Sequence, residues 1–198
     1  MKNNLVADAL LGYVRINLVD DPVPKLKVGQ WNPRPLDRQS IKSMVEDFQL
    51  GKCEPWLSPL TLILAKSELN QLQAFSGADQ WTSGDAGSLK ALKPFIPLRN
   101  VQYRIAGGNH RITAAKETLK IFGQKLVDLR AKASKLEDSR GTEATPEWSE
   151  KLSKAVAELQ EEIGAVEQWS ATVKTWPVKV FDDGAFFIYD YACNLTNL

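Results

Sequence analysis

The sequence predicts a mixed α/β fold, in which a small mixed sheet carries flanking helices and an inserted antiparallel helical hairpin. Three observations lead to this prediction: short stretches rich in β-forming residues, amphipathic stretches with helical spacing between them, and two long amphipathic runs in the second half. At 198 residues the chain is long enough for one well-buried core, so residues 1–198 are predicted to form a single domain.

Composition and charge narrow the class of protein. Lysine and arginine number 25 against 24 acidic residues, and a net charge of +1 gives no global basic surface for coating a duplex. The first residues are interrupted by Asp8, Gly12 and Arg15, which fits neither a secretory signal nor a membrane span. We therefore expect an intracellular protein, cytoplasmic or nuclear, with no membrane partner.

The two cysteines indicate neither a disulfide framework nor a metal site. Cys53 and Cys193 lie far apart, and the chain has one histidine, so no metal-ligand spacing is present. We expect reduced, partly buried thiols and no protein-bound metal.

The first third of the chain predicts two strands with a helix between them. Residues 11–19 (LGYVRINLV) alternate in hydropathy, and the following DDPVP ends the strand. Asp37 is a natural N-cap and Gly51 a natural stop for a helix that presents one apolar face: Ile41, Met44, Val45 and Phe48. Residues 58–66 (SPLTLILAK) then predict a strand buried on both faces.

The middle of the chain gives a weaker pattern. Residues 67–75 (SELNQLQAF) predict a short helix, and residues 76–88 (SGADQWTSGDAGS) predict a surface loop. Trp81 in that loop is interpreted as a packing anchor, with a lid residue as the alternative. Residues 101–106 (VQYRIA) predict a strand that leads directly into GGNHR.

Two long amphipathic runs predict the hairpin, over residues 120–172. The second run begins with Thr145 as N-cap and Pro146 at the first helical position. The apolar stripes are Ala115, Leu119, Phe122, Leu126, Leu129, Ala133 and Leu136, then Trp148, Leu152, Val156, Leu159, Ile163, Val166 and Val173. These stripes are interpreted as core, and the charge-mixed outer faces leave a partner-binding arm or a dimerising coil as the alternative. WPVKVF, at residues 176–181, predicts a last strand.

The stretch GGNHR, residues 107–111, is the candidate site. A strand that passes through two glycines into a helix brings the backbone close to a ligand and leaves the first helical amides unpaired. Those amides and the helix dipole attract an anion. Asn109 can cap the helix or donate its amide, and His110 and Arg111 add donors suited to phosphate. The pattern favours a phosphate cradle formed by Gly107, Gly108, Asn109, His110 and Arg111, while a structural turn remains the alternative.

The order of these segments resembles the ParB/sulfiredoxin superfamily. The resemblance rests on NPRPLD (32–37), SPLTLIL (58–64) and YRIAGGNHRITAAKETL (103–119), followed by a final strand. It covers residues 11–119 and 176–198. The stretches 120–172 and 76–88 have no counterpart and are interpreted as insertions. The resemblance also favours a helix capped by Asp183 over a β-hairpin for DDGAFFIYDYACNLTNL.

The resemblance implies a nucleotide ligand. In ParB-type proteins the matching turn reads roughly Gly-Glu-Arg-Arg and grips the triphosphate of CTP, and in sulfiredoxins it reads Gly-Gly-Cys-His-Arg and binds ATP. By this match GGNHR and Arg34 would hold a nucleoside triphosphate, ATP or CTP, with or without magnesium. Asn109 stands where sulfiredoxins have cysteine, and an amide cannot form the attacking thiolate.

Other functions remain open in the sequence. A kinase-like branch of the superfamily uses a carboxylate base, for which Glu46, Asp47 and Glu54 are candidates, with solvated surface charges as the alternative. A DNA-associated protein and an inactive interaction module are the two further alternatives. A protein partner or self-association through residues 120–172 is also compatible with the pattern.

Overall fold

The computed structural model describes residues 9–20, 22–28, 35–77, 86–139 and 145–184 and shows a mixed α/β architecture. Its five strands are β1 Leu10–Asn17, β2 Lys25–Val28, β3 Leu60–Leu64, β4 Gln102–Gly107 and β5 Thr175–Asp182. Its α-helices are α1 Arg38–Gln49, α2 Ala86–Ala91, α3 Asn109–Asp138 and α4 Pro146–Lys174. Single 3-10 turns lie at Pro55–Leu57 and Lys66–Glu68.

The five strands form one mixed sheet with the order β1-β5-β3-β4-β2. β5 runs antiparallel to β1 and parallel to β3, while β4 runs antiparallel to β3 and parallel to β2. β3 is therefore the central strand, and its Thr61 lies opposite Gly107 at the end of β4. This pairing places the glycine turn beside the start of β3.

The core lies between the sheet and the long helices. The central strand is buried along almost its whole length, as its continuous apolar run predicted. One cluster of buried side chains joins the sheet to α1, α3 and α4, and its largest members include Trp176, Tyr103, Phe122, Ile16, Ile41 and Val166. The helices are thus packed on the same core as the sheet.

Both ends of α1 match the sequence prediction. The Asp37 carboxylate accepts hydrogen bonds from the backbone amides of Gln39 at 3.2 Å and Ser40 at 3.0 Å. After Gln49 the chain turns through Gly51, which has φ of +75°. Ile41, Val45 and Phe48 are buried on the predicted face.

α3 and α4 lie against each other along much of their lengths. Thr145 caps α4 through its hydroxyl, as predicted, and accepts from the amide of Trp148. Contacts between the two helices are Phe122 with Trp169 (ring centroids 6.4 Å apart), Lys125 with Glu162 (2.8 Å) and Arg130 with Glu167 (2.6 Å). α4 then runs without a connecting loop into β5, so the helix pair is tied directly to the sheet.

Some sequence expectations differ from the structure. Residues 67–75 do not form a helix beyond the 3-10 turn at Lys66–Glu68, and α2 begins inside the stretch interpreted as loop. Trp148 is 55% exposed rather than on the buried stripe, because it lies in the first turn of α4. The edge strand β2 was not predicted, since its four residues alternate lysine with single apolar side chains.

Other expectations lie outside the described residues. They are the environment of Trp81, that of Cys193, and the structure of the chain after Gly184. Among the helices that the structure describes, none is long and apolar enough to span a bilayer.

Candidate functional site

The glycine turn joins β4 to α3 through one residue in the left-handed region. Gly108 has φ of 94° and ψ of 14° and is the N-cap of α3, which begins at Asn109. A Cβ atom at position 108 would collide with Cδ2 of Leu60 on the neighbouring strand. Glycine is therefore required here both by the backbone angle and by the close approach of β3.

Gly107 and Asn109 contribute less to the shape of the turn than Gly108 does. A Cβ on Gly107 would meet Oγ1 of Thr61 at 3.5 Å, which is ordinary contact. Asn109 is the first helical residue and not the cap, so of its two predicted roles capping the helix is wrong. Donation by its amide stays a prediction. The cap position falls one residue earlier, because the left-handed angle that breaks the strand belongs to Gly108.

The start of α3 has open backbone donors. Its first intrahelical hydrogen bond runs from Ile112 N to Gly108 O at 3.0 Å. Within the described residues, no acceptor lies on the amides of Asn109, His110 or Arg111, and Gly108 has no side chain that could cap them. By contrast, the first amides of α1 are occupied by Asp37. Within the described residues, the first turn of α3 has no acidic side chain that would pair with the helix dipole.

Arg111 folds back beside this turn. Its Nη1 donates to the carbonyl oxygen of Ser58, and its guanidinium lies 6.0 Å from the ring centroid of Trp176. Its Nη2 is 3.4 Å from where a Gly108 Cβ would be. Partial burial lowers the pKa of Arg111, which is the expected effect when a charge leaves water.

The Arg111 cation has no carboxylate partner among the described residues. Arg104, in contrast, pairs with Glu68 at 3.2 Å and Asp183 at 2.8 Å, although it lies farther from the helix start. A half-buried charge is ordinarily paired, because desolvation without a counter-charge is unfavourable. One guanidinium N–H bond goes to a neutral carbonyl, which leaves further donors for an anion.

His110 connects the turn to the start of α1. Its Nε2 accepts a hydrogen bond from the backbone amide of Asp37 at 2.8 Å. With Nε2 as the acceptor, Nδ1 is the ring nitrogen that is left to donate. The structure therefore gives His110 a positioning role between the two helix starts, and it shows no partner for Nδ1 in the described part of the chain.

The carboxylate of Asp37 adds a negative charge near His110. The Ser40 hydroxyl is the main cause that lowers the pKa of Asp37, followed by the backbone amides of Ser40 and Gln39 and the nearby His110. The side chain is exposed, and its negative charge is turned toward the amides of α1.

The remaining sequence candidates that the structure describes do not gather at the turn. Arg34 lies outside the described residues. Glu46 and Asp47 have side chains that are 64% and 52% exposed, next to lysines of the same surface, and Glu54 is exposed. Cys53 is buried, and burial, with a smaller effect of Glu54, raises its pKa to about 12, so this thiol is protonated and inert at neutral pH.

Sequence reasoning missed three contributors to the site: the carbonyl of Ser58, the ring of Trp176 and the amide of Asp37. Each reaches the turn from a distant part of the chain. Trp176 is the second residue of the last strand, and the local pattern predicts only a buried aromatic side chain there. No local signal identifies these contacts, because two of them are backbone groups.

No group of three or more histidine, cysteine or acidic side chains suited to a metal is found in the described ranges. Comparison with known proteins found no match to this chain among protein-family models, curated proteins or solved structures.

Proposed function

We propose that this protein binds a nucleoside triphosphate, ATP or CTP, with its phosphates at the start of α3. The observation that carries the proposal is the Arg111 guanidinium, which is half-buried beside open helical amides and has no carboxylate partner among the described residues. An anion at this position would satisfy the amides of residues 109–111 and the cation together.

Phosphate fits the donors better than a carboxylate does. The backbone amides of Asn109, His110 and Arg111 all belong to the first turn of α3. The planar guanidinium of Arg111 lies beside this turn and offers further N–H donors. A polyphosphate presents oxygen atoms at several positions and can use both groups at once. The resemblance of GGNHR to the phosphate turn of the ParB/sulfiredoxin superfamily supports the same ligand, and Arg34 is proposed as a further contact.

Under this proposal the domain is a ParB/sulfiredoxin-like sheet, and residues 120–172 form a helical hairpin inserted into it. Binding is the core of the proposed function, since Glu46, Asp47 and Glu54 lie on the exposed surface and none is placed at the turn. Phosphoryl transfer or hydrolysis would need a base from elsewhere.

An interaction module without nucleotide binding is the second candidate. It is favoured by one observation: His110 and Arg111 each already have a protein partner, the amide of Asp37 and the carbonyl of Ser58. In that case the turn only joins α1, β3 and α3.

Isothermal titration calorimetry with ATP, CTP and ADP, each with and without magnesium, separates the two candidates. We expect saturable heat with a triphosphate and at least tenfold weaker binding by Arg111→Ala, since a hydrogen bond to a charged group contributes about 1.5–3 kcal/mol. Arg99→Ala is the matched control, because Arg99 is exposed on a turn and the same charge is removed. It should bind within twofold of the native chain.

Arg111→Lys refines the test. Lysine keeps the charge but loses the planar fork, so its affinity should lie between the native chain and Arg111→Ala. Negligible heat with every nucleotide, or equal affinities for native chain and Arg111→Ala, would remove the nucleotide proposal and leave the interaction module. Circular dichroism of each variant verifies that it is folded.

A further inference from the structure

The two edges of the sheet are not equally covered. The strand order leaves β1 and β2 at the edges. Along the outer side of β1, the backbone groups of Tyr13 and Arg15 are hydrogen-bonded at 2.9 Å to residues 76, 93 and 95. The backbone of β2 makes no hydrogen bond beyond its ladder with β4 in the part of the chain that the structure describes. The outer side of β2 is therefore an open edge.

β2 carries different chemistry on its two faces. Lys25 and Lys27 point to one face and Leu26 and Val28 to the other, because side chains alternate along a strand. Leu26 lies in register with Tyr103 of β4 and packs against the core, whereas Val28 is 45% exposed. The apolar row on the core face of the sheet thus continues to the edge and ends there partly uncovered.

The two lysines give the other face of this edge a positive charge. Both are exposed, and neither forms an ion pair with any described residue. Lys27 lies in register with Arg104 of β4, which pairs with Glu68 at 3.2 Å and with Asp183 at 2.8 Å. These carboxylates already have a cation, so they do not neutralise the lysines.

Charge restricts what can add to the open edge. An unpaired strand edge is a template for another extended segment, which binds through its backbone. A second copy of β2 is disfavoured, because its lysines would lie opposite Lys25 and Lys27 and like charges on facing strands are destabilising. A segment with carboxylates at alternate positions would pair with both lysines and place its apolar side chains beside Leu26 and Val28. The edge therefore selects an acidic strand.

We infer that β2 binds an extended acidic segment of a partner protein, in which aspartate or glutamate alternates with apolar residues, as a sixth strand of the sheet. Backbone hydrogen bonds to β2 supply affinity, and the alternating side chains supply specificity. The inference is independent of the nucleotide proposal, because β2 shares no residue with the glycine turn.

NMR titration of the full chain with three blocked pentapeptides tests this edge without nucleotide. The first is Glu-Val-Glu-Val-Glu, the second is Glu-Glu-Glu-Val-Val, which has the same composition without alternation, and the third is Lys-Val-Lys-Val-Lys. We expect saturable shifts of the β2 amides with the first peptide, about fivefold weaker binding of the second and no saturable shift with the third. Equal affinities for the two acidic peptides would indicate charge attraction alone and would overturn the inference.

Charge reversal locates the site. The double variant Lys25→Glu, Lys27→Glu should lose binding of the alternating acidic peptide and bind the lysine peptide instead. The matched control is Lys132→Glu, Lys154→Glu, which reverses two exposed lysines of α3 and α4 and changes the net charge equally. It should bind the alternating acidic peptide within twofold of the native chain. Circular dichroism verifies that both variants are folded, and the comparison of peptides on the native chain is decisive without them.

The same NMR signals reveal a second copy at the edge. We expect the β2 amides to keep their positions when the native chain is diluted without peptide. Shifts of these amides with protein concentration would show that β2 pairs with another copy of the chain and would overturn the inference. Absence of a saturable shift with the alternating acidic peptide, or an unchanged peptide preference in the β2 double variant, would overturn it as well.

Discussion

Gly108 and Arg111 show how single residues build the candidate site. Gly108 turns the chain by a backbone angle of φ 94° at a point where β3 leaves no room for a side chain. Arg111, one helical turn later, returns its guanidinium to the same place. The open amides between them follow from the glycine cap, which offers no side-chain acceptor.

The two neighbouring glycines should respond differently to alanine. Gly108→Ala should lower the free energy of unfolding by more than about 2 kcal/mol, because it combines a left-handed backbone with a collision at Leu60. Gly107→Ala should change it by less than about 1 kcal/mol, since its Cβ meets Thr61 at an ordinary 3.5 Å. Urea unfolding measures both, and equal losses would contradict the assignment of the left-handed position.

The charge of Asp37 should stabilise the fold in a pH-dependent manner. Its pKa is lowered in the folded state, mainly by the Ser40 hydroxyl, so its contribution is present above the ordinary aspartate pKa and is lost as pH falls through the lowered value. The native chain should therefore be more stable than Asp37→Asn at pH 7, and the difference should vanish in strong acid. Urea unfolding at several pH values checks this, and a difference that grows toward acid would have the wrong sign.

At the scale of elements, α3 and α4 should be held together by packing more than by charge. Lys125–Glu162 and Arg130–Glu167 have side chains between 43% and 61% exposed, and such ion pairs contribute little. Phe122 is 2% exposed in the shared core.

We expect Phe122→Ala to lower the free energy of unfolding by about 3–5 kcal/mol and Arg130→Gln by less than about 1 kcal/mol. Urea unfolding at low and high salt measures both losses. A loss for Arg130→Gln as large as that for Phe122→Ala, and strongly reduced by salt, would show that charge dominates.

Glycines inside the two long helices should be replaceable. Gly123 and Gly164 lie in helical interiors, and a Cβ at either position would have no neighbour within 4 Å. Gly164→Ala should therefore raise the free energy of unfolding by about 0.5–1 kcal/mol through helix propensity. Thermal unfolding of Gly164→Ala and of Gly123→Ala tests this. Destabilisation by both substitutions would indicate that the helix faces at these two positions are packed against another part of the protein.

Elements with a strong local pattern could be predicted from the sequence. The start of α1 at Asp37, the buried strand β3 and the start of α4 at Thr145 all follow from caps and apolar runs. β2 has only Leu26 partly covered, and its alternation of lysine with apolar side chains spans only four residues, which is too short to indicate a strand. Its partner β4 comes from far along the chain. Pairing across the sheet, rather than local preference, makes it a strand.

At the scale of the whole molecule, the contacts of the candidate site depend on how distant segments are brought together by the fold. GGNHR could be found from the sequence as a strand, a glycine turn and a helix start, but the environment of Arg111 could not. Its partners Ser58 and Trp176 come from opposite sides of the turn in sequence and meet there only because β3 and β5 are neighbours in the sheet.

The thiol of Cys53 reports on opening of the whole core. Burial raises its pKa to about 12, so in Cys193→Ser, where Cys53 is the remaining cysteine, labelling by a disulfide reagent at pH 8 should be slow in buffer and fast in urea. The same shift implies that stability declines as pH rises above the ordinary thiol pKa. Rapid labelling of the folded protein would contradict the buried position.

The central claim is that the open amides of residues 109–111 and the Arg111 guanidinium form a binding site for phosphate oxygens. The most direct measurement is a proton–nitrogen NMR titration of the native chain with ATP and CTP, following the backbone amides of Asn109, His110 and Arg111. We expect saturable downfield shifts of these amides with at least one triphosphate, and at least tenfold weaker binding in Arg111→Ala. Amide signals that stay unmoved up to millimolar nucleotide, or that move equally in Arg111→Ala, would contradict the claim.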